Sequence, residues 1–299
     1  VRQPVAWQQD FLHRHRLPVA YLDEAAQYAD PLGAQWLSLA ASRPAPIVAV
    51  NGAQGSGKTT LCDYFATRLR QLHGCRVAVL SLDDFYMTRS QRVELAARVH
   101  PLFATRGVPG THDMALLSHT LNRLQSASAC ECIDIPRFDK SRDERYPAGS
   151  EPFTGRADLI LLEGWCLGAR PEDSVEPPLN RLEAEEDPDA TWRRTVNETL
   201  RRHFLPLYCR IDHWLMLRAP DFECVYRWRR EQEHKLAAAL PTGAIDTRVM
   251  SDAELRRFIA HYERLTRHCL AELPARVNVC LQLDSERRVV GFTGAGPAG

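Results

Sequence analysis

Apolar residues along this chain fall into two rhythms. Short, nearly continuous apolar runs recur at Ile47-Val-Ala-Val50, Arg76 to Leu82, 131–135, Asp158 to Glu163, 213–218 and 277–283. Runs this short, bounded by turn formers, read as strands buried on both faces. Between them lie longer stretches with apolar residues at helical spacing, at 58–73, 88–99, 113–126, 189–210, 220–239 and 251–272. Strand and helix in alternation predict an α/β fold, a parallel sheet with helices on both faces. Ligands of such sheets bind beyond the C-terminal ends of the strands, so the residues that close each strand are where chemistry is expected.

The flanks extend this pattern. Residues 5–41 place Trp7, Phe11, Leu22, Ala25, Trp36, Leu37, Leu39 and Ala40 at helical intervals, with Pro18 and Pro31 as expected breaks. Ser42-Arg-Pro-Ala-Pro46 reads as a linker. Residues 1–45 are therefore expected to form a helical extension, 46–290 the main domain, and the Gly- and Ala-rich stretch 291–299 a mobile tail. Pro136 to Gly155 reads as irregular, and 164–190, with its several prolines and glycines, as a long connection of the kind that carries function.

Composition narrows the class. At 299 residues, with 44% hydrophobic and 25% charged positions, the chain suits one decorated, soluble α/β domain. Lys plus Arg and Asp plus Glu number 38 each, so the basic excess typical of nucleic-acid binders is missing. The nine cysteines are irregularly spaced without a CxxC pair, which points to reduced thiols in the cytoplasm rather than to disulfides or a metal site. Neither a signal-peptide core nor a bilayer-length apolar run is evident, so no membrane partner is expected.

The most specific local feature follows the first strand. Gly52-Ala53-Gln54-Gly55-Ser56-Gly57-Lys58-Thr59 matches GxxxxGK[ST] in full and leads into the helix that starts at Lys58 and continues with Thr60. Its glycines let successive backbone N–H groups curl around phosphate oxygens, and the helix N-terminus adds positive potential. Residues 52–60 are the expected ATP cradle, with Lys58 reaching the β- and γ-phosphates and the Thr59 hydroxyl on Mg²⁺. A P-loop alone does not separate a kinase from a GTPase, a motor or a transport ATPase.

Acids close two further strands. Glu163, after Leu159-Ile-Leu-Leu162, has the position of a Walker B acid and is expected to hold Mg²⁺ directly or through water. Asp83, with Asp84, ends the second strand. It suits the carboxylate that takes a proton from an acceptor hydroxyl, and it equally suits a loop start or helix cap. Farther along, Arg227 and Arg230 share a face of a densely charged helix that could close over the phosphates as a lid. The Pro- and Gly-shaped loop from His100 to Asp113 offers Arg106, Thr111 and His112 as donors to an anionic substrate, and Lys140, Arg142 and Arg145 form a second cationic cluster.

In this order the pieces resemble the small-molecule kinases that include phosphoribulokinase, uridine kinase and pantothenate kinase. The carriers are the P-loop, Ser81-Leu-Asp83-Asp-Phe85-Tyr86, Leu162-Glu163-Gly164-Trp165 and the arginine helix. The resemblance implies that Asp83 is the catalytic base, that Tyr86 belongs to the acceptor site, that Glu163 assists Mg²⁺ and that lid arginines come from Arg227 to Arg230. A closer resemblance is to the D-glycerate 3-kinases. It is carried by the 100–113 loop, Pro136-Arg-Phe-Asp-Lys140, Glu163-Gly-Trp-Cys166, Pro178-Leu-Asn-Arg-Leu-Glu183 and Trp228-Arg-Arg-Glu-Gln232, and spans about 45–284. It implies a cytosolic enzyme that makes 3-phosphoglycerate from ATP and D-glycerate.

Two rival readings stay open at this level. One is a kinase of the same fold acting on a nucleoside, pantothenate or a sugar phosphate. The other is a P-loop ATPase switch without an acceptor.

Overall fold

The computed structural model describes residues 3–147, 152–238 and 250–294. Two helices, α1 (Ala6–His15) and α2 (Ala20–Ser42), precede β1 (Ile47–Gly52), which runs through the Gly-rich loop into α3 (Lys58–His73). β2 (Val77–Ser81) ends in a 3₁₀ turn, Leu82–Phe85, before α4 (Arg89–Arg98) and α5 (Met114–Ser126). The short strands β3 (Cys132–Asp134), β4 (Phe138–Asp139), β5 (Glu144–Arg145) and β6 (Pro152–Thr154) form two antiparallel ribbons, β3 with β6 and β4 with β5. β7 (Leu159–Gly164) is followed by α6 (Arg181–Glu186), α7 (Thr191–Thr199) and, after a π-helical turn at Leu200–Phe204, α8 (Leu205–Tyr208). β8 (His213–Arg218), α9 (Phe222–Ala238), α10 (Asp252–Glu272), β9 (Val279–Leu283) and β10 (Val289–Gly294) complete the described chain.

Six strands form the main sheet in the order β10-β9-β8-β1-β7-β2. Neighbours from β9 to β2 run parallel, and β10 returns antiparallel to β9. The expected parallel sheet is present, with one antiparallel strand added at its edge. Gly291–Gly294, expected in a tail, belong to that edge strand, because a turn at Asp284–Arg288 lets the chain fold back on β9. Residues 295–299 of the expected tail lie outside the described residues.

The pleat of the sheet separates two cores. Val48, Val50, Leu159 and Leu161 face one, with residues of α1, α2, α3 and α9; Ile47, Ile160 and Leu162 face the other, with residues of α5, α7 and α10. Each fully buried Leu or Ile contributes about 1.5–3 kcal/mol, so the alternation pins the strand register.

Pro31 does not break its helix, contrary to the sequence expectation. α2 continues through it. Its buried face, which includes Leu22, Tyr28, Leu32 and Trp36, offsets the ~3 kcal/mol cost of an interior proline. Trp36 packs on Phe65 of α3 with ring centroids 4.4 Å apart, and its indole N–H donates to His213 Nδ1 of β8 at 3.2 Å. The break near Pro18 does occur, between α1 and α2.

Four further expectations are refined. Residues 136–155 contain the paired short strands rather than purely irregular chain, and the 131–135 strand pairs outside the main sheet. The connection 164–190 includes α6, and the helix expected at 189–210 is interrupted by the π turn. Among the described residues, no helix is long and apolar enough to cross a membrane.

Candidate active site

The parallel register brings three strand ends together. β7 lies between β1 and β2, pairing Glu163 with Val50 on one side and Ser81 on the other. The P-loop that follows β1 and the turn that follows β2 thus flank Glu163. Asn51 strengthens this end by donating from its amide to the carbonyls of Trp165, at 3.1 Å, and Leu167, at 2.6 Å.

The P-loop has its expected shape. Gly57 caps α3 at φ 91°, in the left-handed region that a side chain would strain. Lys58 folds back over the loop, its ammonium donating to the Ala53 carbonyl at 3.1 Å. Thr59 donates its hydroxyl to Glu163 Oε1 at 2.9 Å, and Glu163 is only 4% exposed. A hydroxyl and a carboxylate in contact offer hard oxygen donors, the set a divalent cation such as Mg²⁺ takes alongside phosphate and water.

Asp83 sits in the 3₁₀ turn beyond β2. Its Oδ2 accepts from the Lys140 ammonium at 2.6 Å and its Oδ1 from the Tyr86 hydroxyl at 2.9 Å. Burial alone would raise its pKa, but the Lys140 charge outweighs it, aided by Lys58 and the Tyr86 hydroxyl. The carboxyl is held well below the usual range and is ionised at neutral pH. The same pairing raises the pKa of Lys140. Neighbouring Asp84 is occupied otherwise: it accepts from Arg137 Nη1 at 2.8 Å and from the Phe138 backbone N–H at 3.1 Å, which anchors the ribbon that carries Lys140.

The structure disperses the other candidate donors. Arg106 pairs with Asp143 and donates to the Lys140 carbonyl at 3.3 Å, so it stands beside the Asp83–Lys140 pair. Thr111 is fully buried inside its own loop, accepting from the Gly107 N–H at 3.0 Å and donating to the Val108 carbonyl at 2.8 Å. Arg145 ties loops together, bonding the Tyr86 carbonyl at 2.8 Å and Asp113 Oδ2 at 3.0 Å. Arg142 is exposed and donates its backbone N–H to Asp139.

His112 stacks on Tyr86, centroids 4.6 Å apart. Its ring is buried, both nitrogens lack a hydrogen-bond partner among the described residues, and burial pushes its pKa down to about 4. Gly107 shows why this loop needs a glycine: at φ 143° an added Cβ would lie 2.4 Å from the Tyr262 hydroxyl.

Arg227 and Arg230 are both exposed on α9, and Arg227 contacts Cys224 Sγ at 2.9 Å. Arg229, between them, turns towards α10, pairing with Glu233 and lying over the Phe258 ring. Sequence reasoning missed Arg287. This residue in the β9–β10 turn donates from Nε to the Gly55 carbonyl at 2.8 Å and from Nη2 to Glu231 at 2.7 Å, with its guanidinium over the Trp228 ring. It joins the P-loop to α9, and no local motif in Asp284–Arg288 signals that role.

The segment 178–183 has a structural task. Glu183 is fully buried and accepts from Arg264 at 2.7 and 2.9 Å, with Arg193 also in reach. That network fastens the long connection to α10.

A phosphate cradle, a pair of hard oxygen donors and an ionised aspartate thus converge at one end of a parallel sheet, and this convergence defines a P-loop phosphotransferase. No protein-family model matches the chain. It is 35% identical over 258 residues to a Schizosaccharomyces pombe protein named Uncharacterized kinase mug58, covering 81% of this chain and 88% of that one. The chain belongs to this family of P-loop kinases. It is also 30% identical over 232 residues to the chloroplastic D-glycerate 3-kinase of Arabidopsis thaliana, covering 73% of this chain and 46% of the plant protein. The solved structure of D-glycerate 3-kinase from Cryptococcus neoformans var. grubii matches with a TM-score of 0.68 at 26% identity, covering 91% of this chain and 99% of that one. Kinases of this kind use ATP with a divalent metal.

Proposed function

We propose that this kinase transfers the γ-phosphate of Mg²⁺-bound ATP to the C3 hydroxyl of D-glycerate, giving 3-phosphoglycerate and ADP. The observation that carries the reading is the Lys140–Asp83 ion pair at 2.6 Å, at the strand ends beside the P-loop. A small hydroxy acid needs both of these groups, a carboxylate for its hydroxyl and a cation for its own carboxylate. The D-glycerate 3-kinase relatives support the same choice.

In this mechanism residues 52–60 hold the ATP phosphates, with Lys58 along the β- and γ-phosphates. Thr59 and Glu163 hold Mg²⁺, which when bound neutralises charge on the phosphate oxygens. The incoming substrate carboxylate draws Lys140 away from Asp83, with Arg106 beside it. Asp83, relieved of its strongest partner, becomes a better base and accepts the C3 hydroxyl proton as the oxygen attacks phosphorus. The new O–P bond forms while the bond to ADP breaks, and the proton stays on Asp83. Tyr86 aims the Asp83 carboxylate, and neutral His112 backs Tyr86. Thr111 and Arg145 shape the pocket, while exposed Arg142, Arg227 and Arg230 join only if loop and lid close.

We take 46–290 as the catalytic unit, with α1 and α2 built onto its core. A cytoplasmic location fits the nine free thiols, which a reducing compartment maintains. The test is incubation with Mg-ATP and D-glycerate and identification of the product by NMR. 3-Phosphoglycerate supports the reading. 2-Phosphoglycerate would move the acceptor hydroxyl, and ATP binding without product would send the search to other acceptors.

A further inference from the structure

A cleft of about 530 Å³, with His112 in its lining, lies between α5 and the α7–α8 segment. Its volume suits a small metabolite. The floor is apolar, formed by Met87, Leu117 and Leu207 among others. Asp83, Lys140 and the P-loop do not line it.

The rim is cationic and short of counter-charge. Arg210 donates to Ser118 Oγ at 3.1 Å, Asn122 Oδ1 at 2.8 Å and Gln125 Oε1 at 3.0 Å. All three are neutral, and among the described residues no carboxylate pairs with Arg210; burial lowers its pKa accordingly. Arg202 shares the single carboxylate of Glu198 with Arg201. His203 completes this side of the rim. The one acid on the lining, Asp113, is already engaged by Arg145 and by the first turn of α5.

The wall supplies a second, independent observation. His112 lines the cleft, is 3% exposed and leaves both ring nitrogens without a partner among the described residues. Those nitrogens have almost no accessible area, so the imidazole forms a wall between the cleft and the Tyr86 ring on which it stacks.

We propose that this cleft is a second ligand site, which takes a small organic anion with an apolar body and communicates with the active site through His112, Tyr86 and Asp83. The apolar floor holds the body, Arg210 and Arg202 meet the anionic head, and the His112 wall packs against the ligand. Because the Tyr86 ring stacks on His112 while its hydroxyl holds Asp83, any displacement of His112 reaches the carboxylate. D-glycerate, polar throughout, does not match the floor. The coupling rests on the assignment of Asp83 above; the binding does not.

The test uses the full-length protein and 8-anilinonaphthalene-1-sulfonate, an aromatic anion whose fluorescence rises in apolar sites. The expected result is saturable binding of one dye per chain, unaffected by Mg-ATP or D-glycerate at saturating levels. Ala115→Trp, which fills the cleft from an exposed position on α5, and Arg210→Gln should each weaken dye binding at least tenfold. Unchanged melting temperatures would show that both variants fold. Dye binding that is unsaturable, displaced by either substrate, or the same in both variants overturns the site. In turnover assays, the dye should lower kcat without raising the acceptor KM; a competitive pattern overturns the coupling. The binding arm needs no turnover, so it stands or fails separately from the D-glycerate assignment.

Discussion

The Lys140 ammonium lies 2.6 Å from the Asp83 carboxylate, although 57 residues separate them. The pair keeps a partly buried acid ionised while its substrate is absent. In the proposed mechanism the same lysine leaves Asp83 to meet the substrate, so a single contact serves both binding and chemistry.

Removing the carboxylate separates those roles. Asp83→Asn should retain ATP binding, measured by calorimetry, and lose about 10²–10⁴-fold in kcat. Turnover near wild type would remove Asp83 from the base role.

Lys140→Met should change the pH profile. The lysine lowers the Asp83 pKa against the opposing effect of burial. Without it the pKa rises, so the acid limb of kcat/KM should move to higher pH than in wild type, and the acceptor KM should rise. An acid limb at the wild-type position would show that Asp83 does not govern it.

The phosphate cradle depends on Lys58 and on the Thr59–Glu163 contact. Lys58→Ala should lower kcat by on the order of 10²-fold or more even at saturating ATP. Glu163→Gln should weaken Mn²⁺ binding in an EPR titration made with ATP present, since one of the two oxygen donors loses its charge.

Arg287 should act on ATP rather than on the acceptor. Its loss removes the tie between Gly55 and Glu231. Arg287→Ala is expected to raise the ATP KM about 3- to 10-fold while leaving the acceptor KM near wild type. Equal effects on both would point to a general loss of structure.

His112 should make the fold acid-sensitive. Its pKa falls from 6.5 to about 4 in the folded protein, so the unfolded chain binds the extra proton first as pH drops. Stability is therefore lost from about pH 6.5 downward, reaching ~3 kcal/mol near pH 4 for this one group. His213, also lowered to about 4 by burial, adds a slope of the same sign. Urea melts from pH 7 to 4.5 should show a shallower decline for His112→Phe than for wild type.

Much of the site was legible from local pattern. The P-loop, the acid that closes β7 and the acids after β2 each depend on a few consecutive residues, because a buried strand ends where its apolar run meets glycine or a carboxylate. Backbone sterics and burial act over that same short range. The alternation of strands and helices likewise announced the parallel core.

What the tertiary structure alone decided was which groups meet. Four cations were candidates for the acceptor, and only packing of the β4–β5 ribbon on Asp84 delivered Lys140 to Asp83 while turning Arg145 to Asp113 and Arg142 outward. Arg287 reaches Gly55 across 232 residues, from the turn of a hairpin whose final residues, 291–294, the sequence reading placed in a tail. Pro31 stays helical because α2 buries a face on α3, a gain no local propensity contains. Sequence determines short-range conformation and the burial pattern; the pairing of distant charges is settled by how those buried faces pack.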